Sequence, residues 1–313
     1  MTQHSSATRS GTGLLSRAGL LWSLAGVTAF SFTVPLTRVA VTGGLSPLFV
    51  GCGRAVVAAA LAAVALAATG QRLPQGRQWI RLAVIAAGVV IGFPVLTSYA
   101  LTAASAGHSA VVIALLPAAT AATAIVRERQ PVRPMFWVVA GVGAAVAVGF
   151  AAVQGGQSTG LQWSDLLLLG AVVAAAVGYA EGGLLSRELG AWQTVSWALV
   201  VSVPVTGALA AFAWWQQPST AGASEWVAFG YLAVVSMYLG FFAWYRGLAI
   251  GPMSSVSQVQ LIQPVLTICW AAIILREGLT WPVLVGGAAV IVCATVAVRT
   301  RMSPTVRREE FSK

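Results

Sequence analysis

Arg54 is a guanidinium inside an unbroken apolar stretch, PLFVGCGRAVVAAAL, seven residues after Pro47. At ~1.5 Å of rise per helical residue it stands about 10 Å along the helix from that proline. A charge at that depth in hydrocarbon costs several kcal/mol unless it is paired or hydrated. The acids offer no obvious partner. Asp165, Glu225 and Glu277 stand at outer ends of their runs, and Glu181 stands near the inner face. Two fates are open. The side chain can reach outward along its apolar stem to carbonyls, water or one of those acids. Or it can face a cavity and meet a carboxylate or other anionic group of a ligand.

Other polar side chains interrupt apolar runs in the same way. His108 opens its run, with Ser105 placed to cap it. A helix N-terminus disfavours imidazolium, so a neutral hydrogen-bonding ring is the default and a proton relay the alternative. Glu181 lies within about one turn of a run's end, where it either meets interfacial water or serves proton coupling. Gln260, Gln263 and Thr267 follow i, i+3, i+7 spacing and form a polar stripe on an otherwise apolar helix. Amides facing lipid are costly, so the stripe should face protein or a water-filled cavity, for interhelical bonding or for ligand binding. Tyr231, Tyr238 and Tyr245 are seven apart and should share a face. The outer two suit interfacial belts; the middle one needs a hydroxyl partner and is the better pathway candidate. Tyr99, after Thr97 and Ser98, is a further candidate at an outer end.

The elements that must hold these groups are long apolar runs, at 19–37, 47–68, 80–101, 107–126, 135–153, 165–185, 193–215, 226–245, 253–275 and 281–298. Each approaches the ~20 residues needed to cross ~30 Å of hydrocarbon as a helix. Unpaired amides are not tolerated in lipid, so the runs must be helical. Of 313 residues, 58% are hydrophobic and 8% charged, far below the ~25% charged content of a soluble domain. The net charge of +10 is placed by topology. With the N-terminus in the cytoplasm, 15 of the 18 Lys and Arg fall in inner segments, whereas Arg38 and Arg276 border outer gaps and Arg54 lies inside a run. This asymmetry is the positive-inside signature. It places both termini in the cytoplasm of a multi-pass protein of the inner or plasma membrane. Its partners are the lipid bilayer, with its anionic inner leaflet, and a small-molecule substrate, not nucleic acid. The pattern leaves the oligomeric state open and is compatible with a monomer. Cys52, Cys269 and Cys293 all fall inside runs and read as small hydrophobes, with no disulfide. The N-terminus, MTQHSSATRSGTGLLSRAG, has no small-residue cleavage site and reads as a disordered tail before a retained helix.

The segment from Tyr99 to Gly149 resembles that from Tyr245 to Val296. Both share the tyrosine, a small-residue helix start, a proline (Pro117, Pro264), an Arg-Glu pair (Arg127-Glu128, Arg276-Glu277) and a following Gly/Ala/Val helix. The offset is about 147 residues, half the chain, so the gene product is internally duplicated. The prolines precede the glutamates by 11 and 13 residues, so the copies have diverged. The chain divides into a cytoplasmic tail (1–18), a first five-helix repeat (19–153), a second (165–298) and a basic cytoplasmic tail (299–313). An odd number of spans per repeat makes the second enter from the opposite side. The expected fold is therefore all-α and integral to the membrane, with ten transmembrane helices in two inverted five-helix repeats. Such repeats are a recurring build for secondary transporters, with the site near the midplane where they meet. Small-residue stripes at Gly170, Ala174, Gly178 and Gly182, at Gly141, Ala145 and Gly149, and at Ala289, Cys293 and Ala297 suit tight helix packing.

The stretches GLSPLFVGCGRAVVAAAL and YRGLAIGPMSSVSQVQLIQPVLTICWAAIILREGLTW carry a further signal. With Pro47 and Arg54 at the family's spacing, they resemble the drug/metabolite transporter superfamily, specifically the EamA-type exporters. The Gly-Glu usual after spans 4 and 9 appears as Arg127-Glu128 and Arg276-Glu277, and Ala29-Phe30 stands near the point where Trp-Gly is common. The resemblance covers nearly the whole chain. It implies ten helices, inverted repeats and movement of small organic metabolites or drugs, often outward. Amide and aromatic groups beside one buried cation would suit an amino-acid-like or weakly acidic solute. No GxxxxGK[ST] loop, HExxH or Asp-rich pair stands in the chain, so the residues call for no ATP motor, metal, cofactor or catalytic residue. An intramembrane enzyme, or a ligand-gated channel or receptor, is the competing class.

Overall fold

The computed structural model describes residues 7–129, 134–154, 162–250 and 259–301. Every regular element among the described residues is a helix, with no strand. Eight helices are long and apolar enough to cross a membrane: α1 (Ala18–Thr42), α2 (Pro47–Ala68), α3 (Gln78–Ala100), α4 (Ala106–Arg127), α5 (Pro134–Val153), α6 (Trp163–Leu189), α7 (Ala191–Gln216) and α8 (Ala223–Ile250). Two shorter apolar helices follow, α9 (Gln260–Ile274) and α10 (Trp281–Ala297). The extreme N-terminal tail, Arg133, the first residues of the ninth run and most of the basic C-terminal tail lie outside the described residues.

Large exposed tryptophans gather at helix ends. Trp163, Trp215, Trp226 and Trp281 mark one end of the bundle, and Trp22, Trp79 and Trp137 the other. This is where amphipathic rings sit when the ends meet lipid headgroups. The second of these ends also carries Arg77, Arg81 and Arg127 and is called below the arginine-rich end.

Chain duplication is visible as repeated irregularities of the backbone. α4 opens at Ala114–Leu115, just ahead of Pro117, and α9 begins with a tight turn at Gln260–Ile262, just ahead of Pro264. Proline lacks an N–H and its ring clashes with the carbonyl four residues back, so the helix gives way on its N-terminal side. α3 and α8 each widen into π turns, at Ala86–Gly92 and Leu232–Gly240. Left-handed Arg129 (φ 52°) and Arg276 (φ 54°) end the fourth and ninth helices. Each follows its proline by 12 residues, so the helix end is common to both copies and the glutamate has slid. Glu128 precedes the left-handed residue, whereas Glu277 follows it.

Packing repeats in the same sense. Among the most extensive contacts are α2 with α7 and α5 with α10, which pair equivalent helices, and α1 with α8, whose counterpart is α3 with α6. The α6 stripe carries the last of these. A Cβ on Gly88 would lie 2.4 Å from the Ala174 carbonyl oxygen, and one on Gly178 2.6 Å from Val89. These two backbones touch because neither position has a side chain. In α5 the stripe differs from expectation. Gly141, Ala145 and Gly149 are exposed, while Gly143 and Ala147 are buried, with Gly143 against Cys293 of α10. α6 turns into α7 through the single residue Gly190, whose φ of 95° favours glycine. The three cysteines are free, with Cys52 buried and Cys269 exposed.

Candidate functional site

Arg54 is among the largest fully buried side chains, 1% exposed. Proline at the first turn and the Ser46 cap, which accepts from the Phe49 amide at 3.2 Å, start α2 in a fixed register. That register turns Arg54 inward, against a cavity of about 20 Å³ bordered by Thr33, Tyr179, Ser236 and Gln263. Its Nε and Nη1 have no hydrogen-bond partner among the described residues. The outward reach to an acid is not what the fold provides, because all three outer acids are engaged elsewhere. Asp165 binds His108, Glu225 accepts from Ser224, and Glu277 accepts from backbone amides.

A second cavity, of about 10 Å³, adjoins the α9 stripe and shares Gln263 with the first. Pro117 and Pro264 both border it, so the broken segments of the fourth and ninth helices meet there. Gln260 and Gln263 are 3% and 8% exposed, yet Gln260 Nε2 and Gln263 Oε1 find no partner among the described residues. Thr267 instead donates to the Ser31 carbonyl at 3.0 Å. The stripe thus divides its work: Thr267 ties α9 to α1, and the glutamines present unused amides to the cavity. Roughly 10–15 Å³ is needed to hold one water, so both cavities are closed down to water size.

Contacts between the two halves close the bundle at each end. At the end where α4 begins, Ser105 caps the helix as its sequence leads one to expect, accepting from the His108 amide at 3.1 Å. Glu277 spans the Ala106 and Gly107 amides, both at 2.8 Å, and a carboxylate there satisfies orphan donors at a helix N-terminus. His108 Nε2 lies 2.6 Å from Asp165 Oδ1, and the ring stacks on Phe150. At the arginine-rich end Arg81 binds Glu181 and Glu188, and Arg127 Nε binds Glu181 at 2.8 Å. A carboxylate in interfacial water was one expectation for Glu181; it is 5% exposed and held between two guanidinium groups. These groups line a vestibule of about 550 Å³ that also contains Arg77 and Thr123.

The tyrosines of α8 do not share a face. The π turn adds a residue per turn and rotates them apart. Tyr231 donates to the Ala29 carbonyl on α1, Tyr238 pairs with Ser196 on α7, and Tyr245 donates to the Gly178 carbonyl on α6. Tyr238 therefore borders neither small cavity, and fully buried Tyr245 belongs to no interfacial belt. Tyr99 is 43% exposed and stands apart from both cavities. Tyr179, Ser236 and Thr33 occupy the central position instead, with Thr33 and Ser236 hydroxyls 2.8 Å apart. Tyr179 directly follows Gly178 of the α6 stripe, and that adjacency was its only sequence signal. No three His, Cys, Asp or Glu side chains converge among the described residues.

Comparison with known proteins adds three findings. The model of the EamA-like transporter family matches residues 17–152 and again 162–299. The uncharacterized transporter YdeK of Bacillus subtilis (strain 168) is 42% identical over 274 residues, covering 88% of this chain and 94% of YdeK. A protein of known crystal structure, 20% identical, superposes with a TM-score of 0.60 over 89% of this chain and 98% of the other.

Proposed function

Because the chain belongs to the EamA-like transporter family, and is thus a multi-pass membrane transporter, we propose that it exports small organic solutes across the cell membrane by alternating access, without ATP. The observation that carries this reading is the pair of water-sized cavities with unsatisfied Arg54, Gln260 and Gln263, enclosed by interhelical contacts at both ends. Buried polar groups are normally paired, and leaving several unpaired in one place suits a site whose partner arrives from outside. Rocking of one half against the other would break one set of closing contacts at a time.

The accompanying topology has ten spans in two inverted five-helix repeats, with both termini in the cytoplasm. The exchange-symmetric packing supports the repeats, and the charge bias supports the orientation. Reporter fusions after Arg129 and after Ser219 should read cytoplasm and exterior respectively; the same side for both defeats the topology.

Transport itself is tested with the purified chain in liposomes loaded with a mixture of organic metabolites. A subset should leave faster than from equally loaded protein-free liposomes, without ATP. Absence of any selective loss defeats the transport proposal. Chemical conversion of a solute would favour an intramembrane enzyme, and an ion current a channel.

A further inference from the structure

We propose that Arg54 is the anion anchor of the central site, and that the solute accepted there is a small organic carboxylate with an apolar or aromatic body. This rests on the transport reading and names the substrate class within it.

The first support is the state of Arg54. Two of its nitrogens are buried without an acceptor. A guanidinium is protonated at all relevant pH, so burial cannot be relieved by losing the charge. The described residues supply no counter-charge. Each of the described acids whose side chain is placed is engaged elsewhere: Asp165 by His108, Glu181 and Glu188 by arginines, Glu225 by Ser224, Glu277 by the α4 amides. A cation held unpaired at such depth is a strong attractor for an anion that brings its own acceptors.

The second support is the company Arg54 keeps. Phe30, Phe93, Phe241 and Tyr179 surround the same cavity, with Phe30 edge-on to Phe241 at 4.8 Å and stacked on Tyr179 at 6.3 Å. Rings of this kind accept an apolar or aromatic body and exclude water from the charge beside them. Inorganic anions would leave that surface unused. The third is Gln263, whose unsatisfied oxygen borders the cavity and can accept from a donor on the solute. Thr33 and Ser236 already bond to one another, so neither needs the solute. The cavity now has room for water alone, so the carboxylate must enter as the bundle opens and the rings part.

The test uses the full chain in detergent, with unfolding midpoints read against increasing phenylacetate, hexanoate, phenylacetamide and chloride. The two carboxylates should stabilise the protein with apparent affinities at least about tenfold tighter than phenylacetamide, the size expected when a charge-assisted hydrogen bond is replaced by a neutral one. Chloride should not reproduce the effect. Arg54→Met should abolish the preference for carboxylate over amide, and Arg54→Lys should weaken it. Equal effects of phenylacetate and phenylacetamide, or no effect of any carboxylate, overturn the proposal. Stabilisation by chloride equal to that by phenylacetate makes this a bare anion site and overturns the solute class. Unchanged preference in Arg54→Met makes Arg54 structural. If Arg54→Met does not fold, the native ratio and Arg54→Lys still decide. Binding is read without flux, so a carboxylate preference in a protein that moves nothing in liposomes sinks the transport reading and spares the site.

Discussion

A buried guanidinium with unsatisfied nitrogens destabilises the empty protein. An orphan buried polar group costs about 1–3 kcal/mol, more when charged. Methionine has comparable length and no charge to desolvate, so Arg54→Met should raise the unfolding midpoint of the ligand-free chain while lowering transport. Thermal unfolding in detergent beside liposome flux checks both directions at once. A drop in stability would mean that Arg54 is tied to carbonyls or water that matter to the fold. The need for inward placement or a partner at Arg54 was legible from its position in an apolar run. The choice between fates was not, because it depends on where five acids from distant parts of the chain end up. His108 and Asp165 are 57 residues apart, and Arg81 and Glu181 are 100 apart. Nothing local announces such pairs. Ser105 as a cap was legible because the bond spans three residues.

At the scale of the helix, composition decides which elements exist, and backbone irregularity decides where their side chains point. The apolar runs coincide with observed helices to within a few residues for most of the chain. The prolines mark the breaks in the fourth and ninth helices because their chemistry forces them. The π turns of α3 and α8 have no comparable signature beyond a terminal glycine in each, Gly92 and Gly240. One π turn was enough to send the three tyrosines to three different helices, while Tyr179 of α6 borders the central cavity. Small-residue stripes are ambiguous in an Ala-rich chain for a related reason. Spacing shows that a face is narrow, and only the neighbour shows that it is used. The two cases separate by experiment. Gly88→Ala drives a methyl to 2.4 Å from the Ala174 carbonyl, so α3 and α6 must part. Overpacking of this kind costs about 1–3 kcal/mol. Gly141→Ala meets nothing within 4 Å and, with a better helix former, should be neutral or slightly stabilising. Equal unfolding midpoints for the two variants would show that the α3–α6 contact carries little of the stability.

Across the whole molecule, the two ends are closed by different chemistry. The arginine-rich end uses an ion cluster, Arg81, Arg127, Glu181 and Glu188. The opposite end uses a carboxylate on helix amides and a His–Asp pair. Alternating access requires that the two closures open one at a time. Ala110 borders the second cavity, beside the α9 stripe, and is 1% exposed, so a cysteine placed there reports on which end is open. In a chain with Cys52, Cys269 and Cys293 replaced, Ala110→Cys should react slowly with a membrane-impermeant maleimide from either side. Adding Glu181→Gln removes one charge from the ion cluster and should raise labelling several-fold from the arginine-rich end alone. Asp165 also accepts from the Gln162 amide at the start of α6 at 2.9 Å; adding Asp165→Asn keeps an oxygen for that bond but loses the charge facing His108, and should raise labelling from the opposite end alone. Labelling from both sides in either variant would describe a pore whose ends are independent, and rocking between two closed ends would no longer account for the fold.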